Sequence, residues 1–147
     1  MTKQYYDDFD VGDSAESPMG RTISEADVYT QAGLSGSYNP LHTDREYMAA
    51  SEFDGRLVQN TLLISVMEGL KRRLSWKPKT IAAYGRDNVR FTSPVYIGDT
   101  VSLESEVTNK QLRDDDSGIV TFTETLTDQD GETVVVGDYL LLLPKHG

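Results

Sequence analysis

The pattern of apolar and polar positions changes near residue 80 and divides the chain into a helical part and a strand part. Before this point the apolar residues recur three and four positions apart, and after it they alternate with polar residues. Helices followed by a run of alternating strands are typical of an α+β architecture, in which helices pack on an antiparallel sheet.

Two short helices are predicted first. Ser24 is placed to cap one of them, with Asp27 at the capping-box position, and the glycines Gly33 and Gly36 are expected to end it. Asp44 is expected to cap the second short helix through its side chain rather than to act as an acid.

The longest helix is predicted over residues 57–74. Its segment 61–67 is apolar around nearly the whole circumference, so the rest of the protein is expected to enclose this helix. Basic residues fill its last turn, where they complement the negative end of the helix dipole.

Four antiparallel strands are predicted after Lys79. They cover residues 81–95, 101–108, 120–126 and 134–143. The first strand is expected to be broken or bulged near Gly85, and Asp128–Gly131 supplies residues that are typical of a hairpin turn. The last strand is apolar on both faces, which predicts a position inside the sheet.

The composition narrows the range of chemistry. A chain of 147 residues is long enough to bury a sizeable core, and we expect residues 1–147 to form one domain. The absence of cysteine excludes disulfides, thiolate metal sites and a cysteine nucleophile. Two histidines are too few for a polyhistidine metal site, so no metal is expected.

Charge and hydropathy bear on partners and location. A net charge of −10 disfavours binding to nucleic acid and to anionic lipid. No apolar run approaches the roughly 20 residues of a membrane span, and the amino-terminal sequence does not resemble a signal peptide. We expect a cytoplasmic protein whose acidity reflects either adaptation to high salt or an ordinary acidic surface.

A first cluster of polar residues, Ser37–His42, falls where Pro40 disfavours helical geometry for Asn39. His42 is the candidate for proton transfer, because histidine exchanges protons near neutral pH. The alternative is a histidine that serves only the structure.

A second cluster opens the longest helix and consists of Gln59, Asn60 and Thr61. The N–H groups at a helix start, together with the dipole, stabilise a substrate oxygen that gains negative charge. The alternative is that these side chains merely cap the helix.

The first cluster resembles a known family motif. Residues 35–44 read Ser-Gly-Ser-Tyr-Asn-Pro-Leu-His-Thr-Asp, which is similar to the S-G-D-x-N-P-x-H-x-D motif of the MaoC-like, (R)-specific enoyl-CoA hydratase family. The resemblance continues at Leu57–Asn60 and at Asn88–Thr100, which is similar to the family's strand signature. It covers nearly the whole chain.

The resemblance implies a hot-dog fold, in which an antiparallel sheet wraps around one long helix, here residues 58–74. It implies reversible addition of water across the C2–C3 double bond of an enoyl-CoA thioester. No metal or redox cofactor is needed, and coenzyme A is part of the substrate. The family also implies a homodimer or a higher even oligomer, with active sites near the subunit interface.

The resemblance assigns roles to both clusters. In the first cluster, the catalytic candidates are His42, Ser37 and Asn39. In the second, the candidates for oxyanion and substrate binding are Asn60, Gln59 and Thr61.

The chain departs from the family pattern at two places. Ser37 stands where the family has its catalytic aspartate, and Gln59-Asn60 stands where it has a His-Gly pair. These departures resemble a branch that acts on branched or dicarboxylic acyl-CoAs such as mesaconyl-CoA. A carboxylate from elsewhere, Glu68 or Asp27, is the alternative occupant of the missing aspartate's role.

Other residues have simpler expectations. The candidates for contacts with the phosphates of coenzyme A are Arg72, Arg73 and Lys77, and the alternative is that they only complement the helix dipole. The aromatic residues expected in the core are Trp76, Phe91 and Phe122. His146 is expected to be inert in a frayed terminal segment.

Two other functions remain open. The missing aspartate also fits a non-catalytic subunit that binds acyl-CoA. The hot-dog fold supports thioesterases as well, because a fold does not fix a function. For thioester hydrolysis, Glu68 is the candidate carboxylate nearest the helix opening.

Overall fold

The computed structural model of the protein describes residues 2–147. The helices are α1 Glu25–Ser35, α2 Pro40–Thr43, α3 Arg45–Ala49 and α4 Asn60–Lys71, preceded by a 3-10 turn at Tyr6–Asp8. The strands are β1 Ser14–Glu16, β2 Arg21–Thr22, β3 Ala82–Phe91, β4 Thr100–Leu112, β5 Ser117–Thr127 and β6 Thr133–Pro144. No helix within this range is long and apolar enough to cross a membrane.

The strands form one antiparallel sheet in the order β1–β4–β5–β6–β3, and β2 pairs with the start of β4. On the central strand β5, Phe122 stands opposite Val107 of β4 and Tyr139 of β6. Strand β6 has neighbours on both sides, which confirms the position predicted from its two apolar faces.

Helix α4 packs against the sheet and contributes much of the core. Its buried side chains are Leu62, Leu63, Val66, Met67 and Leu70. They share one hydrophobic cluster with inward-facing residues of β4 and β5 such as Leu103 and Leu126. Each fully buried side chain of this kind contributes roughly 1.5–3 kcal/mol. A sheet around one enclosed helix is the hot-dog arrangement, so the predicted α+β class is confirmed.

Helix α4 is shorter than the predicted span of residues 57–74. At its start, the backbone N–H of Val58 donates to the Val95 carbonyl at 2.8 Å, which holds the chain extended there. At its end, the N–H groups of Arg73 and Leu74 donate to carbonyls three residues earlier, so the last turn is tighter than an α-helix.

The helix caps agree with the sequence. Ser24 and Asp27 form a capping box at the start of α1. Gly36 ends this helix in the left-handed conformation, whereas Gly33 lies inside it. The Asp44 carboxylate accepts from the backbone N–H of Tyr47 at 2.9 Å and caps α3, as predicted.

Aromatic side chains fill one part of the core. The ring of Phe9 meets the rings of Trp76 and Phe122 edge to face, with centroid distances of 5.5 and 5.3 Å. The predictions for Trp76 and Phe122 are confirmed. The prediction for Phe91 is wrong, because it ends the edge strand β3 and stays 41% exposed.

Strand β3 is irregular as well as exposed. The register shifts between Ala83 and Gly85, as predicted, and again between Asp87 and Arg90. Asn88 takes up the second shift with a φ of 56°, a left-handed conformation that asparagine tolerates better than most residues.

The carboxyl-terminal segment is anchored, contrary to the expectation for His146. The backbone N–H of His146 donates to the Asp7 carboxylate at 2.8 Å. Its ring Nε2 lies 2.7 Å from Oδ1 of Asp8, and the ring centroid lies 4.3 Å from that of Tyr5. Sequence position alone could not reveal these partners, since they come from the other end of the chain.

Acid is expected to weaken this anchor. Hydrogen bonds from the backbone N–H of Tyr5, from His146 and from the backbone N–H of Gln4 lower the pKa of Asp8 from about 3.8 to about 2. Because the folded pKa lies below the unfolded one, the stabilisation is complete above about pH 4 and is lost as the pH falls through about 2. Solvent screening limits it to on the order of 1 kcal/mol.

The substitution Asp8→Asn should therefore flatten the dependence of the free energy of unfolding on pH below about pH 4. Urea denaturation followed at several acidic pH values measures this dependence. The same acid sensitivity in wild-type and variant protein would contradict the assignment to Asp8.

Candidate active site

The loop that carries His42 is shaped by local hydrogen bonds. The Asn39 side chain accepts from the backbone N–H of Leu41 at 3.0 Å and caps α2, whose first residue is Pro40. The Thr43 hydroxyl donates to the carbonyls of Tyr38 and Asn39, each at 3.1 Å. In this structure Asn39 therefore positions the short helix on which His42 lies.

The ring of His42 is oriented by a backbone carbonyl. Its Nδ1 lies 2.7 Å from the carbonyl oxygen of Leu57, and the side chain is half-buried. A carbonyl only accepts hydrogen bonds, so Nδ1 carries the hydrogen and donates. In the neutral ring, Nε2 is then the nitrogen that takes up a proton, which is the form a general base needs.

Leu57 connects the two polar clusters. Its N–H donates to the Leu41 carbonyl at 2.9 Å, next to His42 in the chain, and its backbone bridges to Tyr96. Asn60 follows only three residues later, which limits the Cα separation between Leu57 and Asn60 to about 11 Å. The structure thus brings the His42 loop and the start of α4 to one place.

The start of α4 presents uncapped N–H groups. Gln59 is the cap residue, and no side chain within residues 2–147 makes a capping hydrogen bond there. The first intrahelical bond that involves the cap runs from the N–H of Leu63 to the Gln59 carbonyl at 3.1 Å. Asn60 and Thr61 are exposed, so the positive end of the helix faces outward and suits an oxygen that gains negative charge.

Two of the predicted binding side chains make hydrogen bonds to α1, the buried Gln59 and the exposed Thr61. Gln59 is 6% exposed, and its Nε2 donates to the Val28 carbonyl at 2.8 Å. Its Oε1 is buried and has no hydrogen-bond partner within the described residues. The Thr61 hydroxyl accepts from Gln31 at 3.2 Å. Both side chains therefore hold the start of α4 against α1.

Ser37 lies in the exposed turn after α1, five residues before His42. Its backbone N–H donates to the Ser35 hydroxyl at 3.1 Å. The two alternative carboxylates have other partners. Asp27 accepts from the N–H of Ser24 at 2.9 Å, and Glu68 lies two turns along α4, about 12 Å from Asn60.

The predicted phosphate contacts lie at the opposite end of α4. Arg72 is about 18 Å from Asn60 along the helix axis, by the rise of 1.5 Å per residue. The Lys77 ammonium donates to the carbonyl of Arg72 at 2.8 Å and to that of Leu74, where it caps the helix end. Arg73 is exposed nearby. Within one chain these three residues do not meet the His42 cluster.

A buried charged cluster was missed by the sequence analysis. The Glu124 side chain is 1% exposed and is paired with Lys71 at 2.7 Å and with Arg86 at 3.1 Å. Burial raises the pKa of Glu124, and the two cations oppose this effect. A signal for it existed, since Glu124 continues the inward-facing series of Val120 and Phe122 in β5.

Comparison with known proteins finds a matching family and relatives of similar length. The MaoC like domain family matches residues 8–129. The (R)-specific enoyl-CoA hydratase of Rhodospirillum rubrum is 33% identical over 144 residues, which cover 97% of this chain and 94% of that protein.

Solved structures share the fold. A crystal structure described as a monoamine oxidase regulatory protein from Archaeoglobus fulgidus has a TM-score of 0.92 at 32% identity and covers 100% of this chain and 98% of that chain. A Mycobacterium tuberculosis protein with a double hot-dog fold has a TM-score of 0.82 at 20% identity, covering 97% of this chain and 44% of that chain. The second likeness shows the fold alone.

Proposed function

Because this chain belongs to the MaoC-like dehydratase family and is a hydratase/dehydratase by class, we propose that it adds water reversibly across the C2–C3 double bond of an enoyl-CoA thioester. The observation that carries this proposal is the hydrogen bond from His42 Nδ1 to the Leu57 carbonyl, three residues before the uncapped start of α4. It supports a base and an oxyanion site that act on one substrate.

The proposed reaction divides the work between these two groups. Nε2 of His42 removes a proton from water as the water oxygen bonds to C3. The electron pair of the double bond moves toward the thioester carbonyl, and the N–H groups at Asn60 and Thr61 stabilise the oxygen that becomes negative. The imidazolium then returns a proton to C2, which gives the 3-hydroxyacyl thioester.

Ser37 is proposed to position the water rather than to remove its proton. A serine hydroxyl donates and accepts hydrogen bonds but stays neutral near pH 7. We predict that Ser37→Ala lowers kcat/KM by a factor that corresponds to a loss of about 1–2 kcal/mol of transition-state stabilisation. This is the value of a positioning hydrogen bond. Steady-state hydration kinetics measure the loss. If Ser37→Ala were as inactive as a variant without His42, Ser37 would be a primary catalytic group. Ser37→Asp, which restores the carboxylate of the family motif, should raise turnover of linear enoyl-CoAs.

We further propose a branched or dicarboxylic acyl-CoA, such as mesaconyl-CoA, as the substrate. Support comes from the absence of the aspartate at Ser37, because a carboxylate on the substrate can supply the missing acidic group. The exposed Asn60 side chain is a second polar group available to such a substrate.

A panel of enoyl-CoAs that includes crotonyl-CoA and mesaconyl-CoA tests the function directly. Loss of the enoyl absorbance on addition of the protein is the expected result, and the panel is run at low and high salt because of the net charge of −10. Binding without loss of absorbance would instead indicate an acyl-CoA-binding subunit. Release of free thiol would indicate a thioesterase.

We also propose that two copies of the chain associate through β3. This strand lies at the edge of the sheet, where Tyr84 is 63% exposed, and Ile81, directly before the strand, is 53% exposed. Exposed edge strands commonly pair with another chain. Sedimentation of the purified protein decides between a monomer and an even oligomer.

A further inference from the structure

Helix α1 contacts both chain segments that meet at the hydrogen bond between His42 and Leu57. The Tyr29 hydroxyl lies 3.0 Å from the carbonyl oxygen of Thr43, the residue directly after His42. The guanidinium of Arg56, the residue directly before Leu57, lies 3.5 Å from the same hydroxyl. The Tyr29 side chain therefore links the two segments from one point on α1.

The direction of the two hydrogen bonds at Tyr29 follows from the groups involved. The carbonyl of Thr43 only accepts, so the Tyr29 hydroxyl donates its one hydrogen there. The guanidinium of Arg56 only donates, so the Tyr29 oxygen accepts the longer and weaker bond from it. A cation that donates to a hydroxyl polarises the O–H bond and strengthens its donation to the carbonyl.

Arg56 is itself held on α1 by an ion pair. Its Nη1 lies 2.7 Å from Oε1 of Glu25, and the Arg56 side chain is 16% exposed, so solvent screens this pair only in part. Glu25 lies in the first turn of α1, four residues before Tyr29. Residues four apart share one face of a helix, so α1 holds both segments of the site from a single face.

The separation of the two segments determines the form of His42 that can act as a base. Nδ1 carries the hydrogen because the Leu57 carbonyl lies 2.7 Å away. The other tautomer, with its hydrogen on Nε2, predominates in free histidine and cannot take up a proton at that nitrogen. Residues 37–40 are exposed and residues 41–43 are only half-buried, so packing in the core contributes little to keeping this distance.

We propose that Tyr29 is a positioning residue, which keeps His42 and the Leu57 carbonyl within hydrogen-bond distance and the ring in the tautomer that acts as a base. The inference rests on the proposed function, because this tautomer matters only if His42 removes a proton from water. Tyr29 acts through Thr43 and Arg56, since both hydrogen bonds of its hydroxyl go to these two residues.

The tautomer of His42 tests this role without turnover. NMR of the ring nitrogens, in protein with isotope-labelled histidine, distinguishes the two tautomers at about pH 9, where histidine is normally neutral. The chain has two histidines, and the variant His146→Ala identifies the signals of His42. We expect wild-type protein to hold the Nδ1–H form and Tyr29→Phe to contain a mixture of both forms. An unchanged tautomer in Tyr29→Phe would overturn the proposal.

Hydration kinetics provide the second measurement. Tyr29→Phe removes one hydroxyl from a ring that is 39% exposed, so the fold should persist. We expect kcat to fall about three- to tenfold with KM unchanged, because one hydrogen bond between neutral groups is commonly worth this factor. The control Tyr47→Phe removes a hydroxyl from an exposed ring on α3 and should change neither kcat nor the tautomer. A higher KM with unchanged kcat in Tyr29→Phe would mean that Tyr29 contacts the substrate and would reject the positioning role.

The outcomes separate this role from the proposed reaction. Hydration by the wild-type protein, together with an unaltered tautomer in Tyr29→Phe, would reject the role of Tyr29 alone. A tautomer that changes in Tyr29→Phe, in a protein that hydrates no enoyl-CoA, would reject the proposed reaction. It would retain Tyr29 as the group that holds the ring of His42 in place.

Discussion

His42→Ala is expected to lose about 10²–10⁴-fold of the hydration rate while the protein stays folded, the range typical for a general acid–base group. The ring is only half-buried and its one hydrogen bond goes to the Leu57 carbonyl, so its removal leaves little of the core unpacked. The measurement is kcat/KM on the best substrate of the panel, with circular dichroism to check the fold.

The second histidine provides the matched control. His146→Ala removes the same type of side chain from a segment anchored to Asp7 and Asp8. It should lower stability slightly and leave turnover unchanged. Near-normal turnover by a folded His42→Ala protein would reject the mechanism with His42 as the base.

Thr61→Pro is expected to cost about 3 kcal/mol of transition-state stabilisation, the typical effect of losing one oxyanion donor. Proline lacks the N–H but fits the first turn of a helix, so α4 should persist. Rates of hydration for saturating and limiting substrate separate this effect from weaker binding, since the interaction strengthens as charge develops on the oxygen.

The control is Thr61→Ala, which removes the hydroxyl contact to Gln31 but keeps the N–H group. It should retain most of the activity, as should Asn60→Gly. Equal losses in Thr61→Pro and Thr61→Ala would mean that the side chain, not the backbone, is the important group. A ligand-bound structure with the thioester oxygen far from this turn would also exclude the assignment.

The architecture was predictable because its strongest signals are periodic. The alternation in β4 and β5 and the all-round apolar surface of α4 indicate burial whatever the tertiary context. The boundaries of α4 were not predictable, since the extended segment before it is held by Val95, 37 residues away from Val58. Phe91 was placed wrongly because an aromatic residue in a strand says nothing about whether that strand lies at an edge.

Only the part of the site that consists of side chains was predictable from the sequence. His42 and the helix start stand out in the sequence, whereas the Leu57 carbonyl does not, because every residue has one. Gln59 was expected to bind substrate, but its amide is buried against Val28. The Glu124 cluster needed a closer look at the strand pattern, where one carboxylate falls in an apolar series.

The role of the Leu57 carbonyl limits what can be transplanted from this protein. The decapeptide at residues 35–44 carries the recognisable residues, but the tautomer of His42 depends on a backbone atom outside it. Leu57 is in turn held by the hydrogen bond from its N–H to the Leu41 carbonyl and by the bridge to Tyr96. Grafting the decapeptide onto another scaffold would therefore transfer the sequence motif without the hydrogen bond that orients His42 as a base. A search for the motif alone would also find chains in which the histidine lacks this partner.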